Sequence, residues 1–438
     1  MSQCLPVEIL LVIYDLLDLS DLLCTSRTCK RWRGQAMRHP TFCRDVRLAA
    51  LSPAALDFFH ARLEASSCIL NVHLDLPKLT GTHHERFRSV VCTAVRHNLH
   101  RISNLEVEVP TAVDMDIFSA LHQPAPILRT LHLRFDRKET HPVVSSALSS
   151  SIFASDAPQL REIFLLNVEL PPQFPASFRR LESSMFSSFS TRRFPLEFVA
   201  FCPNLHDFVV YGKDMQLTPG STPHNHDQNR NRLQRVLIVL KTGYHDALDA
   251  IGAAHIQDVG VGMGMTDHQF LDVLRHDGPL EMFIAIRNAG LLVEYRNVKS
   301  GLYRRFVAPR NMKPDAPLVA HYVKNTTLSS RVETFYTSTG LLSALNALHR
   351  LPECTLFGIG IDPDHGMYAQ DMPVSVPKLR KLEIWGDEGH VDAGAVAAFI
   401  ERCLTDIPIP LTVAFQSSLT VTGTLDGDRF ILADPFTE

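Results

Sequence analysis

One pattern constrains the fold of this chain more than any other. A short run of the form L-x-x-L-x-L is followed by a turn and then by a helical or irregular return. Such runs begin at Ile102 (ISNLEVEV), Leu128 (LRTLHLRF), Leu160 (LREIFLLN), Leu205 (LHDFVVYG), Leu233 (LQRVLIVL), Ile256 (IQDVGVGM), Leu280 (LEMFIAIR), Val332 (VETFYTS) and Leu379 (LRKLEIWG). An earlier alternating run, 69–76, is ended by Pro77. A period of two reads as a strand with one face on a core. Leu128 follows Ile102 by 26 residues and Leu160 follows Leu128 by 32, while Leu233, Ile256 and Leu280 follow their predecessors by 28, 23 and 24. The longer gap before Leu205 has room for another strand over 178–185. Between the runs lie helix signals at 85–98, 112–121, 244–251, 338–348 and 392–404, and at 267–274 after a Thr266 cap. Parallel strands need such crossovers, whose helices return over one face of the sheet. The strands at Leu128, Leu160, Leu205, Leu233, Ile256 and Leu280 are therefore expected to be parallel neighbours in one curved sheet, in chain order.

These intervals fall in or near the period of about 20–29 residues of leucine-rich repeats, and the chain resembles the divergent members of that family. The resemblance implies an α/β fold in which residues 52–412 form an irregular solenoid, a curved parallel sheet with outer helices. The family's asparagine after the strand is mostly absent; its equivalent positions hold Asp136, Val168, Lys213, Lys241, Gly264, Asn288 and Asp387. An ordinary α/β domain with parallel strands is the alternative. Three segments break the pattern. Residues 216–231 are polar and carry Pro and Gly, which reads as a mobile loop open to protease. Residues 292–307 have two β-rich arms around Lys299-Ser300-Gly301, a hairpin inserted between repeats. Residues 413–438 hold a second hairpin around Asp426-Gly427, expected to cap the last repeat.

The N-terminus is different. Leu5-Pro6 opens a run with Ile9, Leu10, Ile13, Leu16 and Leu17 on one helical stripe and Leu11, Val12 and Tyr14 on other faces. A helix apolar nearly all round must be buried nearly all round. Only two short companions follow, one capped by Ser20 and one starting at Ser26 or Thr28 and stopped by Pro40, with 42–48 as an extended link. Three helices in about 45 residues cannot cover that surface alone, so a partner chain is implied. Leu5-Pro6, Glu8-Ile9-Leu10, Asp21-Leu22-Leu23 and Cys29-Lys30-Arg31-Trp32 resemble the LP start, the E-I-L helix, the D-L-L pair and the closing C-K-x-W of the F-box, over residues 4–48. An ordinary N-terminal helical hairpin packed on its own chain is the plainer reading. The resemblance implies docking onto the small adaptor subunit of an SCF-type cullin–RING ubiquitin ligase through Leu5, Pro6, Ile9, Leu10, Ile13, Leu22, Leu23 and Trp32. Through the adaptor it implies a cullin and a RING protein.

Composition limits the remaining classes. The net charge of −4 argues against a nucleic-acid binder as a whole. Residues 27–47 carry seven Lys/Arg against one Asp, either to steer an acidic partner or as a solvated helix face. Nine scattered cysteines without CxxC suggest neither a disulfide framework nor a zinc site, but thiols in a reducing compartment. The start lacks the basic n-region of a signal peptide, and no apolar run reaches about 18 residues. A cytoplasmic or nuclear protein with no membrane partner is expected. No nucleophile elbow, P-loop or HExxH motif occurs, and Gly260, Gly262 and Gly264 do not have the dinucleotide-binding spacing. The histidine clusters at 83–84, 224–226 and 365 lie in expected loops or helix starts. No catalytic residue, metal or cofactor is therefore expected.

What such a scaffold does is bind. Residues between the leucines face outward on the sheet, and large ones there are candidate anchors for a target protein: Tyr211, Ile284, Tyr336 and Trp385. Tyr295, Arg304 and Arg305 of the hairpin would line one side of the groove. These side chains otherwise simply cover the sheet. The resulting reading is a substrate receptor of an SCF-type ligase. A non-degradative scaffold bound to the adaptor is the alternative within binding modules, and an enzyme on the repeat domain the alternative outside them.

Overall fold

A computed structural model describes residues 5–436 apart from 65–67, 77–80, 111–112, 137–146, 189–191, 213–214, 219–231, 241–243, 263–270, 272–273, 275–277, 288–289, 308–325, 342–347, 349, 362–372, 387–388 and 426. The chain is a mixed α/β protein with N-terminal helices and mostly parallel sheet. It divides into two compact units, Met1–Leu233 and Gln234–Glu438. The division falls inside the 52–412 region read from sequence as one repeat domain.

The first unit opens with helices α1 (Val7–Asp15), α2 (Leu19–Thr25), α3 (Lys30–Ala36) and α4 (Pro40–Arg44). Pro6 stands at the N-cap of α1, where its missing N–H costs no helical bond. Asp18, not Ser20, caps α2, its carboxylate accepting the Asp21 N–H at 2.8 Å. Pro40 does more than stop α3. It opens α4 at the first helical position, where a fixed φ suits it.

The expected extended link supplies strand Asp45–Leu48, the first of seven. The others are Leu70–Asp75, Ile102–Pro110, Thr130–Asp136, Glu162–Leu166, Ser183–Ser188 and Asp207–Gly212, all parallel and in chain order. Their leucine-type positions point inward: Leu105, Val107 and Val109, then Leu131, Leu133 and Phe135, then Ile163 and Leu165, all buried. Each such side chain contributes about 1.5–3 kcal/mol by leaving water.

Helix α5 (Pro53–Glu64) joins the N-terminal helices to this sheet. Its Arg62 is fully buried and donates from Nε to the Phe42 carbonyl at 2.6 Å and from its terminal nitrogen to the Asp45 carbonyl. The guanidinium also lies over the Phe42 and Phe58 rings at 5.6 and 5.5 Å. Burial lowers its pKa, and these carbonyls and rings are what hold the charge there.

The turn after Glu162–Leu166 is sealed by Asn167. It takes φ +59, which asparagine tolerates, and its side-chain amide donates to the Phe135 carbonyl of the preceding strand at 2.8 Å. The turn asparagine absent at Val168 thus stands one residue earlier. Farther on, Gln216–Thr218 belong to strand Met215–Thr218, paired with Arg192–Pro195, with Leu217 buried. They are not the start of a loop, and the remainder of that expected loop lies outside the described residues.

In the second unit the pairing order is Arg235–Leu240, Asp258–Gly262, Tyr303–Val307, Gly290–Asn297, Leu280–Arg287, Val332–Ser338, Leu356–Gly360, Lys381–Trp385, Leu411–Phe415 and Phe430–Leu432. Only Gly290–Asn297 runs against the rest of this ladder. The strands at Ile256 and Leu280 were expected to be neighbours in chain order and are not, because the 292–307 hairpin lies between them. Its arms bury Leu291, Val293, Tyr295, Arg304 and Phe306, so they need a place in the sheet and not above it. Asn297 closes the hairpin, its Oδ1 accepting the Lys299 and Ser300 N–H groups at 2.9 and 2.8 Å.

The C-terminal hairpin is also corrected. Leu419–Thr422 pairs in parallel with Gly389–Asp392, and Phe430–Leu432 pairs in parallel with Leu411–Phe415. Gly423, at φ +80, turns the chain before Asp426-Gly427 is reached, and each arm extends a strand already present. Strand Leu356–Gly360 was not read at all, since two glycines argue against a strand interior.

Candidate functional site

The four N-terminal helices build a small core from Leu10, Tyr14, Leu22, Ala36, Phe42 and Cys43, with Ile13, Leu17, Leu19, Leu23, Trp32 and Met37 packed against it. Tyr14 fixes its geometry. Its hydroxyl donates to the Trp32 carbonyl at 3.1 Å, and its ring meets those of Trp32 and His39 edge-on at 6.4 and 5.6 Å. Burial raises the Tyr14 pKa, and the phenol stays a donor. His39 Nδ1 accepts the Thr41 N–H, which leaves the proton on Nε2, facing Asp15 at 3.3 Å.

Successive residues on α1 turn by about 100°, and the helix sorts its apolar residues accordingly. Leu10 and Tyr14 are buried, with Ile13 and Leu17 half-buried beside them. Leu5, Ile9, Val12 and Leu16 face outward with 40, 47, 59 and 83 % of their surface exposed. Pro6 and Leu11 are exposed as well. Two expected docking residues are thereby corrected: Leu10 and Leu22 are wholly covered by their own chain and hold the helices together. Ile13, Leu23 and Trp32 are half-buried. The sequence reading missed Val12 and placed Leu16 on the wrong stripe. The signal was present, since 5, 9, 12 and 16 follow the helical period.

The exposed face of the first unit's sheet changes character across the strands. One row runs Arg47, His73, Glu106, His132, Phe164, Met185 and Val209, and the next runs Asp75, Glu108, Arg134, Leu166, Ser187 and Tyr211. The early end is ionic: Arg47–Asp75 at 2.5 Å, His73–Glu106 at 2.9 Å and Arg134–Glu108 at 3.2 Å. The late end is apolar, and Tyr211 sits there half-buried.

The second unit places the other candidate anchors differently. Ile284 is fully buried and is no anchor. Strand Leu280–Arg287 begins Leu280-x-Met282-x-Ile284, without the second spacer of L-x-x-L. The extra residue is in its neighbour, where the register skips Glu333, and a shift of one residue turns every side chain to the other face. Phe283 faces outward in its place. Its ring lies 6.5 Å from Tyr336, which meets Trp385 edge-on at 5.5 Å. Gly358 and Gly360, on strand Leu356–Gly360, lie between the strands of Tyr336 and Trp385; a Cβ at Gly358 would stand closer than 3.0 Å to both rings, and one at Gly360 to the Trp385 ring. Tyr336 and Trp385 stay half-exposed. Burial raises the Tyr336 pKa, helped by Glu383 and Glu281. Both carboxylates are already paired, with Lys381 at 2.6 Å and Arg296 at 3.2 Å.

Tyr295 and Arg304 do not line this face; both are core residues. Arg304 donates to the carbonyls of Ile256, Tyr303 and Ala253 at 3.0, 2.7 and 3.2 Å, and burial lowers its pKa to about 10. Arg305 does face outward, bonded to Asp258 and 3.7 Å from Glu294.

Among the described residues no group of three or more His, Cys, Asp or Glu is arranged to hold a metal ion, and no helix is long and apolar enough to cross a membrane. An F-box-like family model matches residues 2–48. No curated protein matches the chain. F-box domains in general bind the small adaptor of SCF complexes, and such a domain points broadly to a substrate-receptor role.

Proposed function

We propose that this chain is the substrate-recognition subunit of an SCF-type cullin–RING ubiquitin ligase. The observation that carries the proposal is the F-box-like match over 2–48 together with the outward stripe of α1, Leu5, Ile9, Val12 and Leu16. Contiguous apolar surface of this kind marks an interaction site. The stripe, with Pro6 at its head, docks onto the adaptor, and Ile13, Leu23 and Trp32 brace it from behind. The adaptor brings the cullin and the RING protein. The parallel strands are those of divergent leucine-rich repeats, and their outward face holds a target protein through Tyr336 and Trp385, with Phe283 beside them. The receptor breaks no covalent bond and works in the cytoplasm or nucleus; it raises the target's effective concentration at the ubiquitin-charged enzyme.

Replacing Val12 and Leu16 together by Asp tests the docking. Adaptor co-purification is expected to be lost while the melting temperature holds, because both side chains already face water. Undiminished adaptor recovery overturns the assignment. Ubiquitin transfer to a captured target in the reconstituted complex then separates a receptor from a scaffold.

A further inference from the structure

Cys43 and Cys68 meet where the N-terminal helices join the sheet. Cys43 lies in α4, fully buried, its thiol donating to the His39 and Pro40 carbonyls at 3.5 and 3.7 Å. Cys68 comes just before strand Leu70–Asp75 and is half-exposed. Their Sγ atoms are 3.2 Å apart, against about 2.0 Å in a disulfide, so a movement of about 1 Å would bond them. Three other thiols are buried and held protonated. Burial pushes Cys92 and Cys354 up to about 12, and Cys202 higher still. Cys24 and Cys29 are exposed.

We propose that Cys43 and Cys68 form an oxidant-responsive dithiol, a modification site that takes a low-molecular-weight disulfide such as oxidised glutathione. The accessible Cys68 thiolate attacks one glutathione sulfur, forming a mixed disulfide and releasing one glutathione thiolate. The Cys43 thiol then gives up its proton and attacks the Cys68 sulfur. The Cys43–Cys68 bond forms and the second glutathione leaves as its thiol. Overall two protein thiols are oxidised and one glutathione disulfide is reduced to two thiols. One partner is reachable and the other is buried against it, an arrangement that favours resolution within the chain over a lasting mixed disulfide.

The bond would have a structural consequence. It would tie α4 to the entry of the second strand and close a loop that contains α5 and the Arg62 clamp. Oxidation would thereby add a covalent tie between the N-terminal helices and the sheet that follows them, and reduction would leave that junction to the Arg62 clamp and the pairing of the first two strands. This inference needs neither an adaptor nor a target, so it stands or falls apart from the proposed function.

The test uses the purified full chain, treated with oxidised glutathione, alkylated and digested without reductant. A peptide pair joined through Cys43 and Cys68 is expected, lighter by two hydrogens, with both thiols protected from alkylation. The melting temperature should rise by several degrees and fall back on addition of dithiothreitol. In Cys68→Ser, a small change at a half-exposed site, the reduced protein should melt like the parent and oxidised glutathione should produce no rise. A mixed glutathione disulfide that persists on Cys68 beside a free Cys43 overturns the proposal. So does cross-linking through Cys24 or Cys29 in place of this pair, or a rise in melting temperature that Cys68→Ser retains.

Discussion

Leu10 and Val12 lie two residues apart on α1 and have opposite fates. Leu10 is fully buried between Tyr14, Leu22 and Phe42, so it is a core residue; Val12 is more than half exposed. Leu10→Ala should cost about 2–5 kcal/mol, the usual range for a buried leucine truncation. Any loss of adaptor binding in that variant should follow the loss of fold, and thermal melting beside pull-down separates the two. A Leu10→Ala protein of parental stability that fails to bind would return Leu10 to the docking surface. The same division explains why the sequence alone misassigned it. An α1 apolar nearly all round gives period but no phase. The phase is set by Tyr14, whose hydroxyl needs the Trp32 carbonyl at 3.1 Å and so turns positions 10 and 14 inward.

Strands were legible wherever L-x-x-L-x-L was complete. Ile102, Leu128 and Leu160 each lead a strand whose inward and outward residues fall where alternation puts them, and these strands stack in chain order. Legibility ended where one residue was gained or lost. Leu280 lacks the second spacer, which turned Ile284 inward and Phe283 outward. Asn167 seals the turn after its strand one position before Val168, where the spacing had put the asparagine. Strand Leu356–Gly360 was hidden because its glycines serve neighbours and not itself: the rings of Tyr336 and Trp385 occupy the space a Cβ would need. Gly358→Ala should therefore displace both rings. We expect destabilisation of about 1–3 kcal/mol, the range for overpacking, together with a change in tryptophan fluorescence. Trp385 is one of two tryptophans, so Trp32→Phe in the background isolates its signal. An unchanged Trp385 spectrum in Gly358→Ala would mean that the rings do not rest on this glycine.

At the scale of the whole molecule, the proposed adaptor and target sites lie on different surfaces, and that separation can be tested directly. The proposed adaptor surface is α1 in the first unit, whereas the Phe283, Tyr336 and Trp385 rings belong to the second. Aromatic side chains of this size tend to dominate the binding energy of an interface, and here two of them remain half-exposed over a glycine floor. The ionic rows at Glu106 and Arg134 are weaker candidates, since exposed pairs contribute only about 0–1 kcal/mol each and are satisfied within the chain. Tyr336→Ala with Trp385→Ala should sharply reduce recovery of the target that co-purifies with the parent, and leave adaptor recovery unchanged. Part of each ring is already in water, so the stability cost should fall below the roughly 3–5 kcal/mol of a fully buried aromatic. Melting temperature measured on the same preparation checks this. Loss of both partners with a collapsed melting temperature would make the rings structural. Retention of both would move the target to the apolar end of the first unit's face, where Phe164, Met185 and Tyr211 lie in adjacent rows, and Tyr211→Ala would then be the variant that loses it.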